Sequence, residues 1–126
     1  MAMKKIRIEL ARDPDFPEGS RLHGYEFTAP LDDDDRIDPE DWRKMRERCR
    51  VRRFWGDEPQ EIGHVVRKPG GSWAFHYDVH GESEDDDTGY RFGDHQFRLG
   101  DYVSLRDHEE DELRTFRVVS VTDLPD

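Results

Sequence analysis

With one cysteine in 126 residues the chain cannot form an internal disulfide, and Cys49 points to a reducing compartment. No apolar stretch approaches the ~20 residues that cross a bilayer. Charges also interrupt the N-terminal "MAMKKIRIEL" before a signal-peptide core can form. A cytoplasmic location is expected. Aliphatic residues are scarce as well: Leu, Ile, Val and Phe number 26, a share close to the ~20% below which highly charged chains stay disordered. The 14 aromatic residues compensate, because each buries roughly 150–250 Å² when interior. One folded domain over residues 1–126 is expected, with a small aromatic core and extensive charged loops.

Catalytic signatures are missing too. Neither a phosphate-binding nor a dinucleotide-binding glycine pattern occurs, and no serine lies in a nucleophile-elbow context. The acidic runs fail the calcium-loop test: "DDDDRIDPEDWR" lacks the central glycine, and "DDDTGYRFGDHQ" ends in Gln96 where a glutamate is required.

Acid is abundant. The 31 acidic side chains outnumber 20 basic ones, for a net charge of −11, and many fall in the runs "DDDD", "ESEDDD" and "EEDE". Such a field opposes nucleic acid and anionic membranes over a Debye length of about 8 Å. It favours solubility and a basic protein surface as partner.

Period-two alternation of Ile6, Ile8 and Leu10 with Lys5, Arg7 and Glu9 predicts a half-buried strand, and Tyr25, Phe27 and Ala29 predict a second. One helix, about residues 39–49, is well specified. Asp38 can cap it, Pro39 suits its first turn, and Trp42, Met45 and Cys49 form its buried stripe. "EIGHVVRKPGGSWAFHYDV" reads as a hairpin about Gly70-Gly71. Paired residue numbers then sum to 141, with Val66 opposite Phe75, His64 opposite Tyr77 and Glu61 opposite His80. A last hairpin pairs Leu105 with Phe116 and Val103 with Val118. The expected fold is mainly β (α+β), with roughly seven strands in an antiparallel sheet curled into a small open barrel beside the one helix.

Two clusters carry chemical interest. His76, Asp78 and His80 alternate in "FHYDVHG", and with Glu61 across the hairpin they are the candidate ligands for zinc or another divalent metal. Residues two apart on a strand lie about 7 Å apart and can converge on one ion, whereas 76 and 80 lie about 13 Å apart. Completion would therefore need a loop residue such as His95 or His23. These donors would serve a metal-dependent hydrolase-type enzyme. The second cluster is "RKMRERCRVRR", where Arg46, Arg50, Arg52 and Arg53 near Trp55 are candidates for RNA or another anionic ligand. The leading expectation remains a small acidic β-rich binding or interaction module. An exposed polar strand face is equally open to a second copy of the chain.

Overall fold

Alternation builds the wall of the molecule. In the computed structural model, which describes residues 3–68, 72–79, 86–90, 95–106 and 112–124, the eight strands are β1 (Met3–Leu10), β2 (Ser20–Pro30), β3 (Arg50–Trp55), β4 (Glu61–Arg67), β5 (Trp73–Val79), β6 (Asp86–Tyr90), β7 (Tyr102–Arg106) and β8 (Leu113–Asp123). Each pairs antiparallel with its neighbours in chain order, and β8 pairs with β1. The sheet thus curls as the sequence implies, and the β1–β8 ladder completes the circle. The strand hidden from the sequence pattern is β6, which begins inside the acidic run.

The helix α1 (Pro39–Met45) follows β2 and tightens into a 3-10 turn at Arg46–Arg48. The Asp38 carboxylate accepts from the backbone N–H of Glu40 and Asp41 at 3.0 and 3.2 Å, as an N-cap should. Trp42 anchors the helix by donating its indole N–H to the Val65 carbonyl at 2.9 Å and by meeting Trp73 edge-on. Cys49 is fully buried at the end of this segment. Among the described residues no helix is long and apolar enough to cross a membrane.

Side chains fill the barrel. Ile6, Ile8, Tyr25, Phe27, Val51, Val65, Phe75, Tyr77, Val103, Leu105 and Phe116 are each at most 1% exposed. Tyr25 and Phe27 both lie 5.1 Å from Phe75, centroid to centroid. Phe97, from the segment after β6, packs edge-on against Phe27, while its N–H donates to the Asp35 carbonyl at 2.8 Å. Aromatic volume replaces the missing aliphatic volume, as the composition requires.

Both hairpins differ from the expected register. In β4–β5 the pair Ile62–Val79 holds, but Gly63 faces Tyr77, His64 faces His76 and Val65 faces Phe75. Asp78 is the extra residue of a bulge, and Lys68 donates to the Ser72 carbonyl at 2.7 Å, so beside the turn paired residue numbers sum to 140 rather than 141. A one-residue slip exchanges the faces of a strand. Val65 therefore points inward, and His64 stands on the outer face rather than the apolar one. In β7–β8, Val103 faces Phe116 and Leu105 faces Arg114, a two-residue slip that preserves the faces but brings an arginine inside.

Gly63 marks the tightest approach. A Cβ there would lie 1.8 Å from the His76 carbonyl oxygen. Alanine is normally better than glycine in a strand by roughly 0.5–1 kcal/mol. Here Gly63→Ala is expected to destabilise by about 1–3 kcal/mol, the usual cost of overpacking, as read from chemical denaturation. A variant as stable as the parent would refute the bulge geometry.

Candidate functional site

The structure separates the proposed metal donors. Glu61 is 7% exposed on the inner face of β4, whereas His76 is half-buried on the outer face of β5, so the wall of the sheet stands between them. Asp78 is the bulged residue; its side chain and the whole of His80 lie outside the described residues. Among the described residues no group of three or more His, Cys, Asp or Glu side chains is placed to hold one ion. His76 instead stands opposite His64, whose Nε2 lies 3.2 Å from a guanidinium nitrogen of Arg50. Arginine can only donate, so in this contact Nε2 of His64 accepts.

The basic segment is divided as well. Arg46 is exposed on the 3-10 turn and Arg50 at the start of β3. Arg52 points outward to Glu26 at 3.3 Å, its guanidinium 5.7 Å from the Phe54 ring. Arg53 turns inward and is 2% exposed. Arg46, His64, Arg67 and His76 line a shallow groove of about 340 Å³ between the helical segment and β4–β5. Three of the four candidate arginines thus share the outer surface, and the fourth belongs to the interior.

That fourth arginine leads to the feature the sequence concealed. Arg53, Glu61 and Arg114 are the buried charged residues among those described, and all three sit inside the same end of the barrel. Arg53 and Glu61 are cross-strand partners. The guanidinium of Arg53 lies over Trp55 at 4.5 Å from the ring centroid, and that of Arg114 over the same ring at 5.4 Å. Arg114 also reaches out to Asp13 at 3.1 Å, Glu112 at 3.3 Å and Asp15 at 3.6 Å. His23 sits between Phe16 and Trp55, at 4.5 and 4.7 Å, and its Nδ1 lies 2.7 Å from the Ser20 hydroxyl.

Chain topology explains the two cations. Among the described residues, the connections at this end hold Asp13, Asp15, Glu18, Asp57, Glu58 and Glu112. These six acidic residues stand against one arginine, Arg12. Buried guanidinium groups stacked on an indole face beneath this rim counter its charge. The opposite end carries the helix and the "DDDD" run. There Asp32 accepts from the backbone N–H of Asp34 and Arg36 at 2.8 and 3.1 Å, so the run is a self-capped turn.

Two titrations report on these environments. Burial lowers the pKa of His23 from its ordinary 6.5, helped by the nearby charges of Arg53 and Arg114. The unfolded chain therefore binds a proton that the folded one refuses. Stability should fall as pH drops through the unfolded value of 6.5 and level off below the folded value. Replacing His23→Asn should flatten that part of a melting-temperature profile between about pH 7.5 and about pH 5, and an unchanged slope would contradict the assignment. Burial likewise pushes the Cys49 thiol up to about 11, against a smaller opposing effect of Arg48. Native protein at about pH 8 should leave an aromatic disulfide reagent unreacted until denaturant is added.

The chain matches no protein-family model, no curated protein and no solved structure, so what it does has to be inferred from geometry and charge.

Proposed function

We propose that this protein is an interaction module that docks a lysine- and arginine-rich surface of another protein against its acidic rim. One observation carries the reading: among the described residues, the connections at one end of the barrel hold six acidic residues, Asp13, Asp15, Glu18, Asp57, Glu58 and Glu112, against one arginine, Arg12. Asp15, Glu18, Asp57, Glu58 and Glu112 are exposed there. A rim of one sign speeds encounter with a partner of the other sign and loses force as salt rises. The filled interior supports the same view, because the packed aromatic side chains leave the outer surface as the working part. A location in the cytoplasm, suggested by the lone buried thiol, completes the proposal.

The test compares two ends of one molecule. A short Lys/Arg peptide, titrated by calorimetry at about 50 mM salt, should bind and should weaken markedly at about 300 mM. The triple variant Glu18→Gln, Asp57→Asn, Glu58→Gln should lose at least about threefold in affinity, since rim charges individually contribute modestly. The matched variant at the far end, Asp33→Asn, Asp34→Asn, Glu40→Gln, should lose much less. Equal losses from the two variants, or binding indifferent to salt, would defeat the rim as the docking surface.

A further inference from the structure

A cleft among the described residues lies on the outer wall of the barrel and runs up to the 11–19 connection. This cleft, of about 710 Å³, opens where β1 meets both neighbours and is lined by Glu9, Arg12, Glu18, Arg21, Tyr102 and Arg117, among others. Its volume falls in the range that holds small ligands, roughly 300–1,000 Å³.

Two breaks in pairing create it. Along β2 the register jumps from Glu9–Gly24 to Leu10–Ser20, so Arg21, Leu22 and His23 have no partner residue on β1. Along β8 it jumps from Arg7–Ser120 to Ile8–Val118, which leaves Val119 as an extra residue. Both breaks fall within residues 7–10 of one strand. Bulges bend a strand and re-aim its side chains, and they gather beside functional sites. The far wall is closed by Gly19, whose φ of 79° and approach to the Leu10 carbonyl, 2.7 Å from where a Cβ would stand, exclude any other residue without strain.

Charge inside the cleft is opposite to that of the molecule. Arg21 and Arg117 are exposed and make no ion pair among the described residues. Glu9, which faces Arg117 across the β1–β8 ladder, is taken by Arg7 at 2.8 Å. Arg12 is steadied by donating its Nε–H to the Pro17 carbonyl at 3.1 Å. Glu18 is the remaining acid of the lining and is exposed. Next to Arg117, as its cross-strand partner, stands Tyr102, 58% exposed although aromatic.

Guanidinium groups lining an open concavity suit phosphoryl or carboxylate oxygens, and an exposed phenol ring beside them offers a stacking face for a planar group. We infer that this cleft is a binding site for an anionic small molecule of mononucleotide size, its phosphoryl group held by Arg21 and Arg117 with Arg12 and its ring laid against Tyr102. The occupant is a small anion rather than a protein surface, although Arg12 and Glu18 of the lining also belong to the 11–19 connection at the rim.

The experiment uses the whole chain and three probes: adenosine 5′-monophosphate, adenosine and inorganic phosphate, titrated by calorimetry with amide chemical shifts read in parallel. The monophosphate should bind at least about tenfold more tightly than either fragment, because charge-assisted hydrogen bonds and ring contact act together. The double variant Arg21→Gln, Arg117→Gln should lose about tenfold or more for the monophosphate and leave adenosine unchanged. Tyr102→Leu should weaken the monophosphate and spare inorganic phosphate. All three positions are exposed on the wall, and a circular dichroism spectrum identical to the parent's accompanies each comparison. Overturning results are adenosine binding as well as its monophosphate, arginine variants binding like the parent, Tyr102→Leu binding the monophosphate like the parent, or shifts confined to the His64–His76 groove.

Discussion

The stacking of two arginines on Trp55 is the interaction that allows so acidic a protein to close into a barrel. Burying a guanidinium costs several kcal/mol unless the group is paired and hydrogen-bonded, and an acidic rim destabilises a compact state by self-repulsion. Each burden relieves the other. Arg114 spends its charge on Asp13, Asp15 and Glu112 at the rim, while Arg53 has Glu61 as its cross-strand partner on the inner face. The Trp55 indole, over which both guanidinium groups lie, offers them an electron-rich face in place of water. Remove the cations, and the rim has no counter-charge beneath it. Remove the rim, and the cations are buried without reason.

Much of this fold was legible in advance, for reasons that differ by element. The alternation Ile6, Ile8, Leu10 survives intact because β1 has one face in the core and one in solvent. Helix α1 was legible through its cap, since Asp38 offers an acceptor where the first free N–H groups need one. The register of β4–β5 was not, because a bulge is an insertion in space that leaves no mark in composition. β6 was masked by acidic residues, which strand propensity disfavours but a narrow barrel needing an eighth strand accepts. The inward arginines were least legible of all. In "VRRFW" and "LRTFRVV" Arg53 and Arg114 lie close to other arginines, Arg52 and Arg117, and a pattern that assumes charged residues face water assigns them outward. A signal was present nonetheless: Val51, Arg53 and Trp55 share one parity, and Arg114, Phe116 and Val118 another.

The candidate sites follow the same logic. The His76, Asp78 and Glu61 grouping depended on Glu61 and His76 sharing a hairpin face, and the one-residue slip of register from Gly63 to Arg67 puts them on opposite faces. Arg46, Arg50 and Arg52 were grouped by sequence proximity and remain on one side of the molecule, because the 3-10 turn and outward positions of β3 both face solvent. The wall cleft was invisible beforehand because its residues come from four distant stretches of chain, brought together where pairing breaks down rather than where it is regular. Because aromatic side chains occupy the barrel interior, recognition surfaces in this architecture have to be made outside it.

The seam between β1 and β8 has a kinetic consequence. Every other strand pair joins strands consecutive in the chain, but this one joins Lys4 to Asp123, side chains in ionic contact, and Met3 to Leu124 through a 3.1 Å backbone bond. Loop-closure entropy must be spent across nearly the whole chain before that ladder returns any enthalpy. Hairpins can therefore assemble in any order, while the two outermost strands meet last. Until they do, both present unpaired backbone edges, and the charged residues Lys4, Lys5, Arg7 and Glu9 along β1 guard that edge against pairing with the wrong chain during synthesis.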